Sequence, residues 1–181
     1  MAALQQLSGI NAFVIYGGDI AQKATSEELS ALIPSLLNFE QVLGTFATGF
    51  LLITFGRKTI LQFGTLLAGV SNVLIFIGFF LQEHTDAGED SGQLFILLGL
   101  FLYMAVFGVS LGPVVWLYIP EIVQPKIVPF STATNWITCS MVIILFPIMK
   151  ENVFSNDPTA LFAFFAAWCI VSFIINMRFV I

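Results

Sequence analysis

Charge is what this chain has least of. Of 181 residues, 6 are Lys or Arg and 11 are Asp or Glu, so 9% are charged against 58% hydrophobic. A soluble domain carries about 25% charged residues, so the composition excludes one and requires a chain embedded in lipid. The net charge of −5 argues against a nucleic-acid partner. Histidine is nearly absent: His84 stands alone in an acidic stretch. Cys139 and Cys169 each lie in an apolar run. One histidine and two scattered cysteines do not make a zinc site, and the thiols read as free and packed against helices. No metal or cofactor is expected. No HExxH, no serine–histidine pair and no cluster of acids lies in an apolar run, so a membrane enzyme is disfavoured. The N-terminus lacks the basic region of a signal peptide. The chain opens inside a hydrophobic run, which reads as a piece of a longer protein.

What the chain has in abundance is continuous apolar sequence. A membrane span needs about 20 apolar residues. Six candidates are predicted, near 2–22, 35–55, 59–81, 94–119, 130–149 and 159–180. Runs this long exclude the short alternating strands of a membrane β-barrel. The expected fold is an all-α membrane protein, 1–181 forming a single six-helix bundle. The breaks are Lys23 to Pro34, Gly56-Arg57-Lys58, the acidic loop at 82–93, the proline-rich 120–129, and 150–158 with its Asn156-Asp157-Pro158 turn. Arg57, Lys58, Lys126 and Arg178 fall on one side of this arrangement, Lys23 and Lys150 on the other. The excess of basic residues marks the first side as cytoplasmic. Six spans then put both termini there. Small residues four apart (Gly44 with Thr48, Gly64 with Ala68, Gly108 with Gly112) are expected to let helices approach closely.

The polar exceptions carry the chemistry. Gln5, Gln6, Ser8 and Asn11 sit inside the first span. Amides are costly in a bilayer unless hydrogen-bonded. They offer donors and acceptors without charge, which suits a neutral, polyhydroxylated solute. They would serve equally to tie neighbouring helices together. Ser8-Gly9 permits local unwinding, and interrupted helices are typical of transporter sites. In the fourth span, Pro113 removes a backbone donor and frees the carbonyl of Val109, with Gly112 beside it. This predicts a kink, with Trp116 one turn beyond. In the fifth span Ser131, Asn135 and Thr138 form a polar stripe, with Trp136 alongside. No span carries an acid or base near its middle, which argues against an ion pathway built from this chain alone.

These motifs resemble the C-terminal half, helices seven to twelve, of sugar porters of the major facilitator superfamily. QQLSGINA is similar to that family's seventh-helix motif, GRK to its glycine-and-basic loop, GPVVW followed by PE to its tenth helix, and NW to its eleventh. The resemblance covers the whole chain, in order. It implies one six-helix half of such a bundle, moving a hexose such as glucose by alternating access. It further implies that Gln5, Gln6, Asn11, Gln41, Trp116 and Asn135 contact sugar. Tyr16 resembles a gate aromatic, Gly112 and Pro113 a hinge, and Arg57 and Glu121 parts of a cytoplasmic latch. The expected partners are a hexose, the lipid bilayer and an N-terminal six-helix half. The chain departs from the pattern in having Ile53 where an acid is usual, no arginine after Glu121, and Gly108 where a polar residue is common. These departures predict a weakened latch and a cavity enlarged at Gly108. The competing reading is a non-transporting six-helix membrane subunit.

Overall fold

The computed structural model describes residues 1–22, 24–84, 89–153 and 158–180. Every regular element among them is helical. The order is α1 (Ala2–Leu7), α2 (Ile10–Gln22), α3 (Glu27–His84), α4 (Glu89–Val109), α5 (Leu111–Ile122), α6 (Val128–Ile148) and α7 (Pro158–Phe179). A 3₁₀ turn at Pro125–Ile127 leads into α6, and a π turn at Met149–Val153 follows it. Lys23, residues 85–88 of the acidic loop and the Asn156-Asp157 pair lie outside the described residues.

The first predicted span is two helices. Ser8 ends α1, and Gly9 takes φ 102° before α2 begins. That left-handed backbone favours glycine. The second and third predicted spans are one element, α3, interrupted at a single residue. Gly56 adopts φ 72°, ψ 165°, outside the helical region. The chain reverses there. Gly44 and Gly64 are twenty residues apart, about 30 Å along a straight helix. Yet both pack on the 105–110 stretch of α4: a Cβ on Gly44 would meet Ala105, Gly108 and Val109, and one on Gly64 would meet Ser110. The second arm of α3 then runs antiparallel to α7, with Thr65 bonded to Asn176 and Asn72 near Cys169.

Several boundaries differ from the sequence reading for identifiable reasons. Residues 27–34, read as loop, are helical. The Ser30 amide bonds back to the Ser26 carbonyl at 2.9 Å, and Glu28 lies in the first turn, where the helix dipole favours acids. The fourth predicted span breaks at Ser110 (φ −124°, ψ −82°), three residues before Pro113. Proline disturbs the turn that precedes it, so the kink lies upstream of the residue that causes it. Four stretches among the described residues are long and apolar enough to cross a membrane: Glu28–His84, Asp90–Ile122, Pro125–Ile148 and Thr159–Phe179. The difference from six arises because α1 and α2 are separately too short, while the two arms of α3 count as one.

The core joins α2, α3, α4 and α7. Phe13, Leu37, Leu61, Ile75, Leu100, Tyr103 and Phe162 are nearly inaccessible. Phe13 stacks on Tyr103, with ring centroids 3.7 Å apart, and meets Phe162 edge-on. The α3–α4 hairpin closes through glycines: a Cβ on Gly78 would lie 2.7 Å from the Gly92 carbonyl oxygen. Small residues thus set the helix spacing, as the sequence predicts.

Candidate functional site

The break at Ser8-Gly9 turns the amides of α1 toward two different helices. Gln5 Nε2 donates to the carbonyl oxygens of Leu111 (2.7 Å) and Gly112 (3.3 Å) at the start of α5. Gln6 Nε2 donates to Asn135 Oδ1 of α6 at 2.9 Å. Asn11, just past the break, donates to Gln6 Oε1 at 2.6 Å. Asn135 closes the network, its Nδ2 donating to Gln5 Oε1 (2.7 Å) and to the Ala2 carbonyl (3.0 Å). Four amides from three helices form one connected system. Each is also a donor and acceptor of fixed direction, since its neighbours hold it.

This network walls a cavity of about 400 Å³, inside the range of roughly 300–1,000 Å³ for small-molecule sites. Gln5, Gln6, Asn11, Gln41, Trp116 and Asn135, all named from the sequence, line it together. Gly112 and Pro113 line it too. The residues differ in what they have left to offer. Asn135 is 1% exposed and both its amide hydrogens are engaged. It therefore organises the wall. Gln6 and Asn11 each use one of two amide hydrogens on the network, leaving one each. Trp116 is 38% exposed and lies one turn beyond Pro113 in α5.

The carbonyl freed by Pro113 has a partner. Thr48 Oγ1, on the first arm of α3, donates to Val109 O at 2.8 Å. Thr45 Oγ1 lies 3.4 Å from Gly108 O and also lines the cavity. Gly108 is not among the lining residues, contrary to the expected enlargement. A Cβ there would come within 2.7 Å of the Gln41 carbonyl oxygen. Gly108 lets α3 and α4 touch, and so seats Gln41.

Five lining residues were not singled out for the site from the sequence: Ile10, Thr45, Phe107, Trp136 and Cys139. Cys139 follows Asn135 by four residues, so it continues the same helix face. Its thiol lies 3.5 Å from Asn11 Oδ1. Thr138, expected on the stripe, bonds back to the Thr134 carbonyl of its own helix. The i+4 spacing was the available signal, and a thiol was read as packing.

The residues expected to form a gate and a latch, Tyr16, Arg57 and Glu121, lie apart from the cavity. Tyr16 stacks on Phe146 of α6, with centroids 4.5 Å apart. Arg57 and Glu121 form a two-point ion pair, Nη2–Oε1 at 2.7 Å and Nε–Oε2 at 3.2 Å. The pair ties the bend of α3 to the end of α5.

With this geometry in hand, comparison with known proteins is direct. The family model described as "Sugar (and other) transporter" matches residues 1–181. Hexose transporter 1 of Plasmodium vivax is 27% identical over 184 aligned positions, covering 99% of this chain and 35% of that protein. The facilitated trehalose transporter Tret1 of Apis mellifera ligustica is 29% identical, covering 94% and 34%. The chain thus spans about a third of the length of these relatives. The crystal structure of a D-xylose-proton symporter superposes with a TM-score of 0.83 at 21% identity, covering 99% of this chain and 41% of that one. That likeness shows the fold, an all-helical one that this chain shares with part of that symporter. The match along the whole sequence makes this chain a member of the sugar transporter family, a family of membrane transporters and not of enzymes.

Proposed function

We propose that this chain supplies the C-terminal half of a site that moves a hexose across a membrane by alternating access. The observation that carries the reading is the convergence of Gln5, Gln6, Asn11, Gln41, Trp116 and Asn135 on one cavity. Uncharged donors and acceptors beside an indole face suit a sugar, whose hydroxyls need hydrogen bonds and whose ring has apolar C–H faces. Gln6 and Asn11 offer their spare hydrogens to hydroxyl oxygens, and Trp116 packs on the ring. Asn135 and Gln5 hold the others in place. The names of the matched relatives, hexose and trehalose transporters, agree with this class of substrate.

In this reading the chain crosses the membrane six times. The α1–α2 pair makes one pass, the two arms of α3 make two, α4 with α5 one, and α6 and α7 one each. Arms of 27–55 and 57–84 each exceed the roughly 20 residues a pass requires. Arg57, Lys58, Lys126 and Arg178 face the cytoplasm with both termini. The Arg57–Glu121 pair and the Thr65–Asn176 bond support one shared end for these residues. An N-terminal six-helix half faces the cavity and completes it.

The test is uptake of labelled glucose into proteoliposomes, with this chain alone and joined to such an N-terminal half. The joined protein should transport saturably, and Gln6→Ala with Asn11→Ala should lower uptake more than tenfold. Each lost hydrogen bond to a ligand costs about 0.5–1.5 kcal/mol, and leaving its network partner unpaired adds to that. The chain alone should give no saturable uptake. Uptake indifferent to both substitutions overturns the site. Saturable uptake by the chain alone, abolished by the pair, overturns the half-site.

A further inference from the structure

We propose that Tyr103, on α4 and outside the cavity lining, is a positioning residue that locks the Ser8-Gly9 break and so fixes where Gln5, Gln6 and Asn11 stand. The inference rests on the sugar-site reading above, but its structural half does not.

The backbone accounting at the break shows why a lock is needed. In a regular helix the Gly9 amide would serve the Gln5 carbonyl. Here it turns to the Gln6 carbonyl instead, at 3.3 Å. The Gln5 carbonyl is rescued by the Ser8 hydroxyl at 2.7 Å. Ser8 Oγ has one hydrogen, and that bond uses it. The contact of 2.7 Å between Ser8 Oγ and Tyr103 Oη therefore has Tyr103 as donor. Tyr103 ends a relay from α4, through Ser8, to the backbone of the residue that carries the Gln5 side chain. Its ring stacks on Phe13 in the second turn of α2, 3.7 Å centroid to centroid and 3° from parallel. One side chain thus grips both sides of the break. It is fully buried, so water offers the hydroxyl no substitute partner.

The opposite side of the break is held by α7. A Cβ on Gly9 would lie 3.1–3.3 Å from the Phe165 ring. Phe165 packs on Phe146, which stacks on Tyr16. The break is therefore fixed between Tyr103 and Phe165, and the aromatic chain on the second side runs on to the expected gate residue. Neither aromatic lines the cavity. Their effect on a ligand would come through the amides they hold in register, which is preorganisation.

The experiment pairs Tyr103→Phe, which removes only the hydroxyl, with Ser8→Ala. The first readout is amide hydrogen exchange of the 181-residue chain in lipid nanodiscs, without ligand. Tyr103→Phe should speed exchange at residues 5–13 by about 3- to 10-fold, the equivalent of one buried hydrogen bond. Exchange at residues 60–80 of α3 should not change. Ser8→Ala breaks the same relay, so the double variant should exceed the single ones little. Unchanged exchange at 5–13, loosening spread evenly through the bundle, or additive effects overturn the lock. The second readout is transport by the joined protein, where Tyr103→Phe should raise KM about 3- to 10-fold and change kcat less. Local exchange that rises while KM stays fixed overturns the positioning role. Altered exchange in Tyr103→Phe, together with an unsubstituted joined protein that moves no sugar at all, leaves the lock standing and removes the sugar reading.

Discussion

Two regions of this molecule bury amides, and they use them differently. Around the cavity, Gln5, Gln6, Asn11 and Asn135 bond to one another and to backbone carbonyls of α1 and α5. Between α3 and α7, Asn72 donates to the Ala68 carbonyl of its own helix and Asn176 to Thr65. Both asparagines are at most 1% exposed, as buried as Asn135. The cavity of about 300 Å³ beside that seam is lined by Thr65, Cys169 and otherwise apolar residues, and by neither asparagine. The helices also differ. Around the first region they break, at Gly9 and at Ser110. Through the second they run on. Burial of an amide is therefore not the mark of a site. The mark is convergence of amides from separate helices where the backbone has been interrupted to aim them.

The sharpest way to break this comparison is to remove one asparagine from each region. Asn135→Ala leaves Gln5 Oε1 and Gln6 Nε2 each short of a partner, and removes a second bond to the Ala2 carbonyl, which α1 itself already serves. Each buried orphan costs about 1–3 kcal/mol, so the loss should be several kcal/mol and should abolish sugar binding. Asn72→Ala removes one bond to a carbonyl that already belongs to a helix ladder and one long contact to the Cys169 sulfur. Its cost should stay near 1 kcal/mol, with sugar affinity unaltered. Thermal unfolding in detergent and sugar-dependent tryptophan fluorescence measure both. Equal effects from the two substitutions would erase the distinction.

A second contrast is chemical. Cys139 lines the amide cavity and Cys169 lies in the seam at 1% exposure. A small methanethiosulfonate reagent should modify Cys139 at least about tenfold faster than Cys169, since reaction requires access. Saturating hexose should slow only the Cys139 reaction. Mass spectrometry of the two tryptic peptides distinguishes them. Faster modification of Cys169, or no protection at Cys139, would place the ligand elsewhere.

How much of this was legible in the sequence varies with the kind of residue. Gln5, Gln6 and Asn11 stand out because amides in an apolar run have few explanations. Pro113 announced a break, and the freed Val109 carbonyl was foreseeable. What no local pattern revealed was the donor to that carbonyl, because Thr48 lies 61 positions away. Gly108 was misread for the same reason: its role depends on the Gln41 backbone opposite, a contact between α3 and α4. The division of labour within the amide network was also hidden. Asn135 lines the cavity as expected, but both of its amide hydrogens are spent on the network, which no sequence pattern shows. Sequence marked the polar residues; packing decided which remain available.

The smallest effect tests the second helix break. Thr48 Oγ1 donates to Val109 O at 2.8 Å because residue 113 has no amide hydrogen to give. Thr48→Val keeps the side-chain shape and removes the donor, leaving the Val109 carbonyl unserved in a part of the bundle where Thr48 is 2% exposed. The cost should be about 1–2 kcal/mol. In a Pro113→Ala background the new amide can reach the Val109 carbonyl, so the helix supplies its own donor. Thr48→Val should then cost less than about 0.5 kcal/mol, a coupling that a double-mutant cycle isolates. Pro113→Ala alone should leave sugar affinity within a few-fold while slowing transport, since the break it removes lies between Gly108 and the Trp116 that faces the cavity. Additive costs for Thr48→Val and Pro113→Ala would mean that the Ser110 break persists without proline. The interruption beside the cavity would then be imposed by packing of α4 on α3, through Gly64 and Ser110, and not by the missing donor.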